Sequence, residues 1–181
     1  MPEVKRIAVF GAESTGKTSL AEALAETYGE PWSPEFVREF WDLRNGKVVA
    51  DDLGTIALGQ IANEDYAIEQ AKRMAFHDTE LLTCVLWNDL LFAGQCPEWV
   101  RREAEERAQH IDLYLLCDTD LPFVPDAQRC FPDAEGREMC RRLWRGTLEN
   151  RGLPFVEIKG AGATRLEAAV AAVESVLARR T

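Results

Sequence analysis

Eight residues near the amino end have the types and spacing of a phosphate-binding loop. Residues 11–18 read Gly-Ala-Glu-Ser-Thr-Gly-Lys-Thr, which completes the pattern G-x-x-x-x-G-K-[ST]. The apolar run at 7–10 supplies the strand that such a loop follows, and the Ala/Leu/Glu-rich stretch at 19–28 supplies the next helix. Glycines let the backbone turn tightly, so that loop N–H groups and the helix N-terminus face one anion. The motif therefore predicts binding of a nucleoside triphosphate, which we expect to be ATP.

The same pattern assigns roles within the loop. Lys17 is expected to reach the β- and γ-phosphates, and Thr18 is expected to ligate Mg²⁺. The other loop positions expected to hold the phosphates are Gly11, Glu13, Ser14, Thr15, Gly16 and Ser19. The alternative is a glycine turn that merely joins a strand to a helix.

Strand and helix patterns alternate along the rest of the chain. Apolar runs predict strands at 4–10, 30–33, 74–76, 113–117 and 153–158. Helices are predicted at 17–28, 34–43, 51–73, 79–92, 97–110 and 137–150, and a last helix opens with a capping box at 164–167. Because consecutive β-α-β units make right-handed crossovers, this order predicts an α/β fold with a doubly wound, five-stranded parallel sheet. The 181 residues fit a single domain over 1–181.

A carboxylate follows the third predicted strand. Parallel sheets bind ligands beyond the carboxyl ends of their strands, so Asp78 is expected to reach Mg²⁺ from the side opposite Thr18. The alternative is a plain helix cap.

The segment at about 119–141 is rich in proline and arginine and lies where small P-loop kinases carry a mobile lid. Arg129 and Arg137 are expected to neutralise charge on the transferring phosphoryl group, unless the segment is a surface loop with incidental arginines.

The acceptor side is predicted from residues near the second strand and on the long helix. Glu35 and Arg38 follow that strand, and either Glu35 or Asp78 could accept the proton of an acceptor hydroxyl. Trp32 could stack on a flat ring, or it could pack in the core. Further acceptor contacts are expected from Asp52, Gln60 and Tyr66.

Composition excludes several classes of function. A net charge of −10 disfavours duplex nucleic acid, which needs a basic surface. No apolar run is long enough to cross a bilayer and no signal peptide is visible, so we expect a cytoplasmic protein without a membrane partner. Five cysteines without a C-x-x-C pair give little support for structural zinc or disulfides.

Several short blocks, taken in order, resemble one known family. They are Gly11-Ala-Glu-Ser-Thr-Gly-Lys-Thr18, Glu35-Phe-Val-Arg-Glu39, Ile56-Ala-Leu-Gly-Gln60, Phe76-His-Asp-Thr79 and Pro122-Phe-Val-Pro-Asp126-x-x-Arg129 with Arg137. The set resembles the ribosylnicotinamide kinase domain of NadR-type NAD-biosynthesis proteins, over nearly the whole chain. In that family the lid block commonly has a tryptophan and an Asp-Gly pair, whereas this chain has Pro122-Phe123 and Asp126-Ala127.

The resemblance implies a reaction and its ligands. ATP with Mg²⁺ would phosphorylate the 5′-hydroxyl of nicotinamide riboside, a small-molecule nucleoside, to give nicotinamide mononucleotide. It also implies that aromatic side chains hold the pyridinium ring, a role that Trp32 and Tyr66 could fill. Two alternatives stay open: a kinase of the same fold for another nucleoside or small metabolite, and a regulatory ATPase that binds ATP without an acceptor. The sequence makes no prediction of the oligomeric state.

Overall fold

The chain folds around a parallel sheet, seen here in a computed structural model that describes residues 4–178. The described residues form five strands in the spatial order β2-β3-β1-β4-β5, every neighbouring pair being parallel. Their bounds are β1 Lys5–Phe10, β2 Trp32–Ser33, β3 Met74–Asp78, β4 Leu113–Cys117 and β5 Phe155–Ile158. The predicted doubly wound α/β sheet is confirmed. The ends of the predicted domain, residues 1 and 181, lie outside the described residues.

Helices follow the strands in the predicted order. Their bounds are α1 Lys17–Tyr28, α2 Phe36–Leu43, α3 Leu53–Gln70, α4 Leu81–Leu91, α5 Glu98–Ala108, α6 Ala134–Arg151 and α7 Gly162–Ala178. The predicted capping box is wrong, because α7 begins two residues before Thr164 and places it inside the first turn. The predicted lid range of about 119–141 includes the start of α6. The irregular stretch between β4 and α6 is 118–133, and we call 118–133 the lid segment. Within 4–178 no helix has both the length and the apolar character needed to cross a bilayer.

The two faces of the sheet are covered by separate apolar clusters. Ile7 and Val9 of β1 pack with α1 and α7, whereas Ala8 and Phe10 pack with α4, α5 and α6. Phe10 meets Tyr114 edge to face, with 5.2 Å between the ring centroids. This alternation along β1 fixes the register of the strand, because a shift by one residue would exchange the two faces.

A buried polar network ties α3 to α5 beneath the sheet edge. Arg107 bonds Glu64 at 3.0 Å and Asp65 at 2.6 Å. The Gln60 amide donates to the other oxygen of Glu64 at 3.1 Å. Burial raises the pKa of Glu64 from its ordinary 4.5 to about 7, against the opposing effect of Arg107. The network therefore includes a carboxylate whose charge is costly to bury.

Replacing Glu64 with Gln should change how stability depends on pH. Since the pKa of Glu64 is higher in the folded chain than in the unfolded chain, its stabilising contribution is complete below pH 4.5 and is lost as the pH rises through about 7. Across that window the wild-type unfolding free energy should fall relative to Glu64→Gln, by at most about 1.4 kcal/mol per pH unit. Urea unfolding at several pH values measures this. Asp65→Asn, the exposed partner of the same arginine, is the control, and coincident pH profiles for the two variants would contradict the assignment.

Candidate active site

The loop between β1 and α1 passes very close to β4. Gly11 has a φ of +145°, and a Cβ at this position would lie 2.8 Å from the carbonyl oxygen of Cys117. Gly16, with a φ of +74°, is the residue from which α1 starts. Only glycine can adopt this φ and also leave room for the Cys117 carbonyl at residue 11. The close approach of Gly11 to β4 sets the path of the loop.

Side chains of the loop brace it internally, and one of them bonds Asp78. Both Lys17 Nζ and Thr15 Oγ1 donate to the carbonyl oxygen of Ala12, each at 2.8 Å. Thr18 Oγ1 donates to Asp78 Oδ2 at 2.5 Å, while Asp78 Oδ1 is buried with no hydrogen-bond partner among the described residues. Burial, followed by the nearby charge of Glu35, raises the pKa of Asp78 to about 6, and Lys17 opposes this. A hydroxyl beside an incompletely partnered carboxylate is a donor set that fits Mg²⁺.

A small polar cleft lies over the loop. Its walls are residues 14–19 together with the guanidinium groups of Arg38 and Arg129. The structure thus places Arg38, expected among the acceptor contacts, at the border of the phosphate cleft as well. Arg38 is held there by Glu35 at 3.1 Å and by Asp126 at 3.6 Å.

The lid segment is bonded directly to the phosphate loop. Glu13 accepts the backbone N–H groups of Cys130 at 3.0 Å and Phe131 at 2.5 Å. Ser14 Oγ accepts the N–H of Val124 at 2.8 Å and a bond from Arg129 at 3.3 Å. Glu13 and Ser14, expected to hold phosphates, use their side chains here to hold the lid segment.

Arg137 occupies a different position from the predicted one. Its Nη2 donates to the carbonyl oxygens of Thr119 and Leu121, each at 2.8 Å, and its guanidinium lies 5.5 Å from the ring centroid of Phe123. These contacts fix the base of the lid segment. Arg137 therefore supports the lid, whereas Arg129 borders the phosphate cleft.

A second cleft, of about 190 Å³, adjoins the first. Lys17, Arg38 and Arg129 line both. The rest of its wall is mainly apolar and aromatic, with Glu35 among a few polar groups. Its main side chains are Trp41, Val48, Leu53, Ile56, Thr83, Cys84, Trp87, Asn88, Leu91 and Phe92, and lid residues 127–130 close one side. We call it the acceptor cleft.

Two aromatic residues expected in the acceptor site lie elsewhere. Trp32 packs against the cluster formed by α1 and α7, because β2 turns it to the other face of the sheet. Tyr66 lies on α3 with 66% of its surface exposed and does not line the cleft. Trp41 and Trp87 occupy the cleft instead. Sequence reasoning missed them because an amphipathic pattern such as that of α2 does not show which side chains border a cleft, and α4 is apolar over most of its surface.

Two polar residues expected to contact the acceptor are structural. Asp52 accepts the N–H of Val49 at 3.0 Å and pairs with Arg44 at 3.5 Å, and it does not line the cleft. Gln60 is buried, and its Oε1 accepts the N–H of Phe36 at 3.0 Å. It therefore holds the start of α2, next to Glu35, in place.

Arg165 is a buried cation behind the loop that the sequence gave no reason to select. Its Nη2 donates to the carbonyl oxygen of Thr15 at 2.7 Å. Its Nη1 donates to the carbonyl oxygen of Gly160 at 2.7 Å and to Asp120 at 3.1 Å. Since a trans peptide points its C=O and N–H in opposite directions, a bond to the Thr15 carbonyl turns the N–H of Gly16 towards the opposite side, where the phosphate cleft lies. Arg165 thus joins the phosphate loop, the lid segment and the loop after β5.

Known proteins resemble this chain in sequence. A family model described as "AAA domain" matches residues 6–165. The trifunctional NAD biosynthesis/regulator protein NadR of Salmonella typhimurium strain LT2 is 27% identical over 162 residues, which are 87% of this chain and 39% of that protein. NadR of Escherichia coli strain K12 is 27% identical over 160 residues, covering 86% of this chain and 38% of that protein. The chain spans less than half the length of the curated relatives it matches.

Solved structures share the fold. A NadR protein in complex with NR superimposes with a TM-score of 0.74 at 22% identity, covering 96% of this chain and 51% of that one. A NadR protein with NAD and AMP-PNP gives 0.74 at 22% identity over 97% of this chain and 50% of that one. Deoxyadenosine kinase from M. mycoides gives 0.60 at 13% identity, covering 94% and 99%. The fold is that of the P-loop kinases.

Removing the Arg165 side chain should loosen the phosphate loop. We expect Arg165→Ala to weaken binding of AMP-PNP about tenfold or more, because it frees the Thr15 carbonyl and removes the cation that pairs with Asp120. Arg165→Lys, which keeps the charge, should weaken it less. Titration calorimetry measures affinity, and circular dichroism checks folding. Arg142→Ala, at a side chain that is 70% exposed, is the control. Unchanged affinity in a folded Arg165→Ala protein would contradict the role.

Proposed function

The chain belongs to the family of AAA domains, whose model spans residues 6–165, and on that premise we propose that it is an ATP-dependent kinase of nicotinamide riboside. The reaction transfers the γ-phosphate of ATP to the 5′-hydroxyl of the riboside and gives nicotinamide mononucleotide. The 27% identity to NadR, a NAD biosynthesis protein, supports a place in NAD metabolism. The NadR structures bound to NR and to AMP-PNP support the pair of ligands.

One observation carries the proposal: the phosphate cleft and the acceptor cleft meet at the same three cations. Lys17, Arg38 and Arg129 line both clefts. A phosphoryl group that passes from a nucleotide in one cleft to an acceptor in the other must cross the border between the clefts. The negative charge of the transferring group is then next to these three cations. A regulatory ATPase without an acceptor has no need of the second, aromatic-walled cleft.

The residues divide the work of phosphoryl transfer. Loop N–H groups and Lys17 hold the phosphates, and Arg38 and Arg129 neutralise charge at the border. Thr18 and Asp78 would hold Mg²⁺, which neutralises charge on the triphosphate when it is bound. Glu35 lines the acceptor cleft beside Arg38, whereas Asp78 bonds Thr18. We therefore assign proton acceptance from the hydroxyl to Glu35 rather than to Asp78.

The wall of the acceptor cleft suits a flat cationic ring. Trp41 and Trp87 present aromatic surface, and a cation over a tryptophan face gains roughly 0.5–2 kcal/mol. The carboxylates of Glu13 and Glu35 line the same cleft. A pyridinium riboside combines such a ring with a sugar hydroxyl that could reach the border cations.

A second candidate is a kinase for another nucleoside or nucleotide. The fold similarity to deoxyadenosine kinase and to the thymidylate kinase of Ehrlichia chaffeensis, each with a TM-score of 0.60, favours keeping it. A purine or pyrimidine ring would also stack on Trp41 and Trp87, so an acceptor panel is the deciding experiment.

Purified protein should release ADP from ATP and Mg²⁺ only when nicotinamide riboside is present. Lys17→Ala should abolish this release without unfolding the chain, because it removes the phosphate-loop lysine, one of the three cations shared by the two clefts. The exposed Lys72→Ala is the matched control. A coupled ADP assay with nicotinamide riboside, deoxyadenosine, thymidine monophosphate and no acceptor separates the candidates. Equal ADP release without any acceptor would refute the kinase assignment.

Glu35→Gln should lower kcat by about 10²–10⁴-fold, since the amide cannot take the proton of the hydroxyl. The KM for ATP should change much less than kcat, because Glu35 does not line the phosphate cleft and reaches it only through its ion pair with Arg38. Steady-state kinetics with each substrate varied in turn provide the measurement, and the exposed Glu39→Gln is the control. A kcat close to that of the wild type would transfer the role of base to Asp78.

A further inference from the structure

Side chains of α3 hold both of the peptide groups that flank Glu35. Asn63 Nδ2 donates to the carbonyl oxygen of Pro34 at 3.2 Å. Gln60 Oε1 accepts the N–H of Phe36 at 3.0 Å. The carbonyl belongs to the peptide before Glu35, and the N–H belongs to the peptide after it. The backbone that carries the Glu35 side chain is therefore fixed to α3 on both sides.

Packing at the same point leaves the start of α2 little freedom to shift. A Cβ at Gly59 would lie 2.2 Å from the ring of Phe36, so this ring rests on the bare backbone of α3. Phe36 is the first residue of α2, and the N–H of a first helical residue has no acceptor within its own helix. Gln60 supplies that acceptor from the neighbouring helix.

The hydrogen bonds around Gln60 run in one direction, towards Glu64. Gln60 Nε2 donates to Glu64 Oε1 at 3.1 Å, and Arg107 Nε donates to Glu64 Oε2 at 3.0 Å. An amide has one accepting end and one donating end, so Gln60 can accept from Phe36 while Glu64 accepts from Gln60. Because a donor faces each of its oxygens, Glu64 fits this order as a carboxylate and not as an acid or an amide.

Arg107 is the cation that helps to keep Glu64 charged inside the protein. Glu64 is 3% exposed, and burial raises its pKa to about 7 although Arg107 acts in the opposite sense. Groups without positive charge face Glu64 from α3, from the residue before α4, from α4 and from β4; they are Asp65, Glu80, Cys84 and Tyr114. Above that pKa Glu64 is mainly the carboxylate that the order of hydrogen bonds requires.

We propose that Glu64 is a positioning residue for Glu35: through the Gln60 amide it fixes the backbone from which the Glu35 carboxylate reaches the acceptor hydroxyl. Arg107 supports this role by holding the second oxygen of Glu64. The inference rests on the proposed function, since it concerns the base of that reaction.

A change of Glu64 to an amide should reverse the order of the hydrogen bonds. In Glu64→Gln we expect Arg107 to take the remaining oxygen, because a charged donor forms the stronger bond. The new NH₂ group then faces Gln60, which must turn its own oxygen towards it. The N–H of Phe36 is left facing an NH₂ group, and the start of α2 loses its acceptor.

The test compares Glu64→Gln with an exchanged pair, Gln60→Glu together with Glu64→Gln. The single change should lower kcat about 10- to 100-fold, and more than it changes either KM, because a small displacement of a reacting group has an effect of this size. The exchanged pair keeps the net charge and restores an acceptor for every donor, so most of the lost kcat should return. Kinetics are measured at about pH 8.5, above the pKa of both Glu64 and Asp78.

Two further measurements separate positioning from a loss of stability. Adding Glu64→Gln to Glu35→Gln should lower kcat no further, because a positioning residue has no effect once the group that it positions is gone. Exchange of the Phe36 amide hydrogen, followed by NMR, should be faster in Glu64→Gln and slower again in the exchanged pair. Glu69→Gln, the same change at an exposed residue of α3, is the control and should match the wild type.

A wild-type kcat in folded Glu64→Gln overturns the inference and leaves the kinase assignment standing. So does a further loss of kcat in the Glu35→Gln background, or a folded exchanged pair that recovers nothing. If circular dichroism shows that the exchanged pair does not fold, the Glu35→Gln background decides. If the wild type phosphorylates no riboside, the kinase assignment fails. The hydrogen-bond order then stands without a catalytic role where Phe36 exchange follows the expected pattern, and unchanged exchange overturns both.

Discussion

The site depends on a loop whose carbonyl oxygens accept hydrogen bonds from side chains of the protein, which leaves its N–H groups for a ligand. Ala12 receives bonds from Lys17 and Thr15, and Thr15 receives one from Arg165. Close packing of Gly11 on β4 removes the remaining freedom of the chain at that point. A loop held in this way loses little conformational entropy when a triphosphate binds, and that saving is a general source of affinity.

The order of the strands explains why the two clefts share their cations. β1 lies between β3 and β4, so the loop after β1 stands beside Asp78 on one side and beside the start of the lid segment on the other. Arg38 lies on α2 and Arg129 lies in the lid segment, and both line the phosphate cleft. No single stretch of sequence contains this group of charges; the parallel sheet brings it together at its carboxyl edge.

The sequence predicted the features that depend on local residue patterns. It did not predict the features that depend on packing between distant parts of the chain. The phosphate loop, the alternation of elements, and the positions of Asp78 and Arg129 follow from motif and strand ends. Trp32 and Tyr66 were wrong as cleft residues because a two-residue strand and a long, weakly amphipathic helix do not reveal which side faces the site. Arg165 bonds partners 45 and 150 residues away, and no spacing rule reaches that far.

The bonds from Glu13 and Ser14 to the lid segment have a consequence for the catalytic cycle. Residues 127–130 form part of the acceptor cleft wall, and the same stretch is bonded to the loop that holds the nucleotide. Displacing this segment therefore uncovers both compartments in one movement. In the proposed reaction, entry of one substrate and departure of the other product would then be linked, and a change that tightens these bonds would slow both exchanges together.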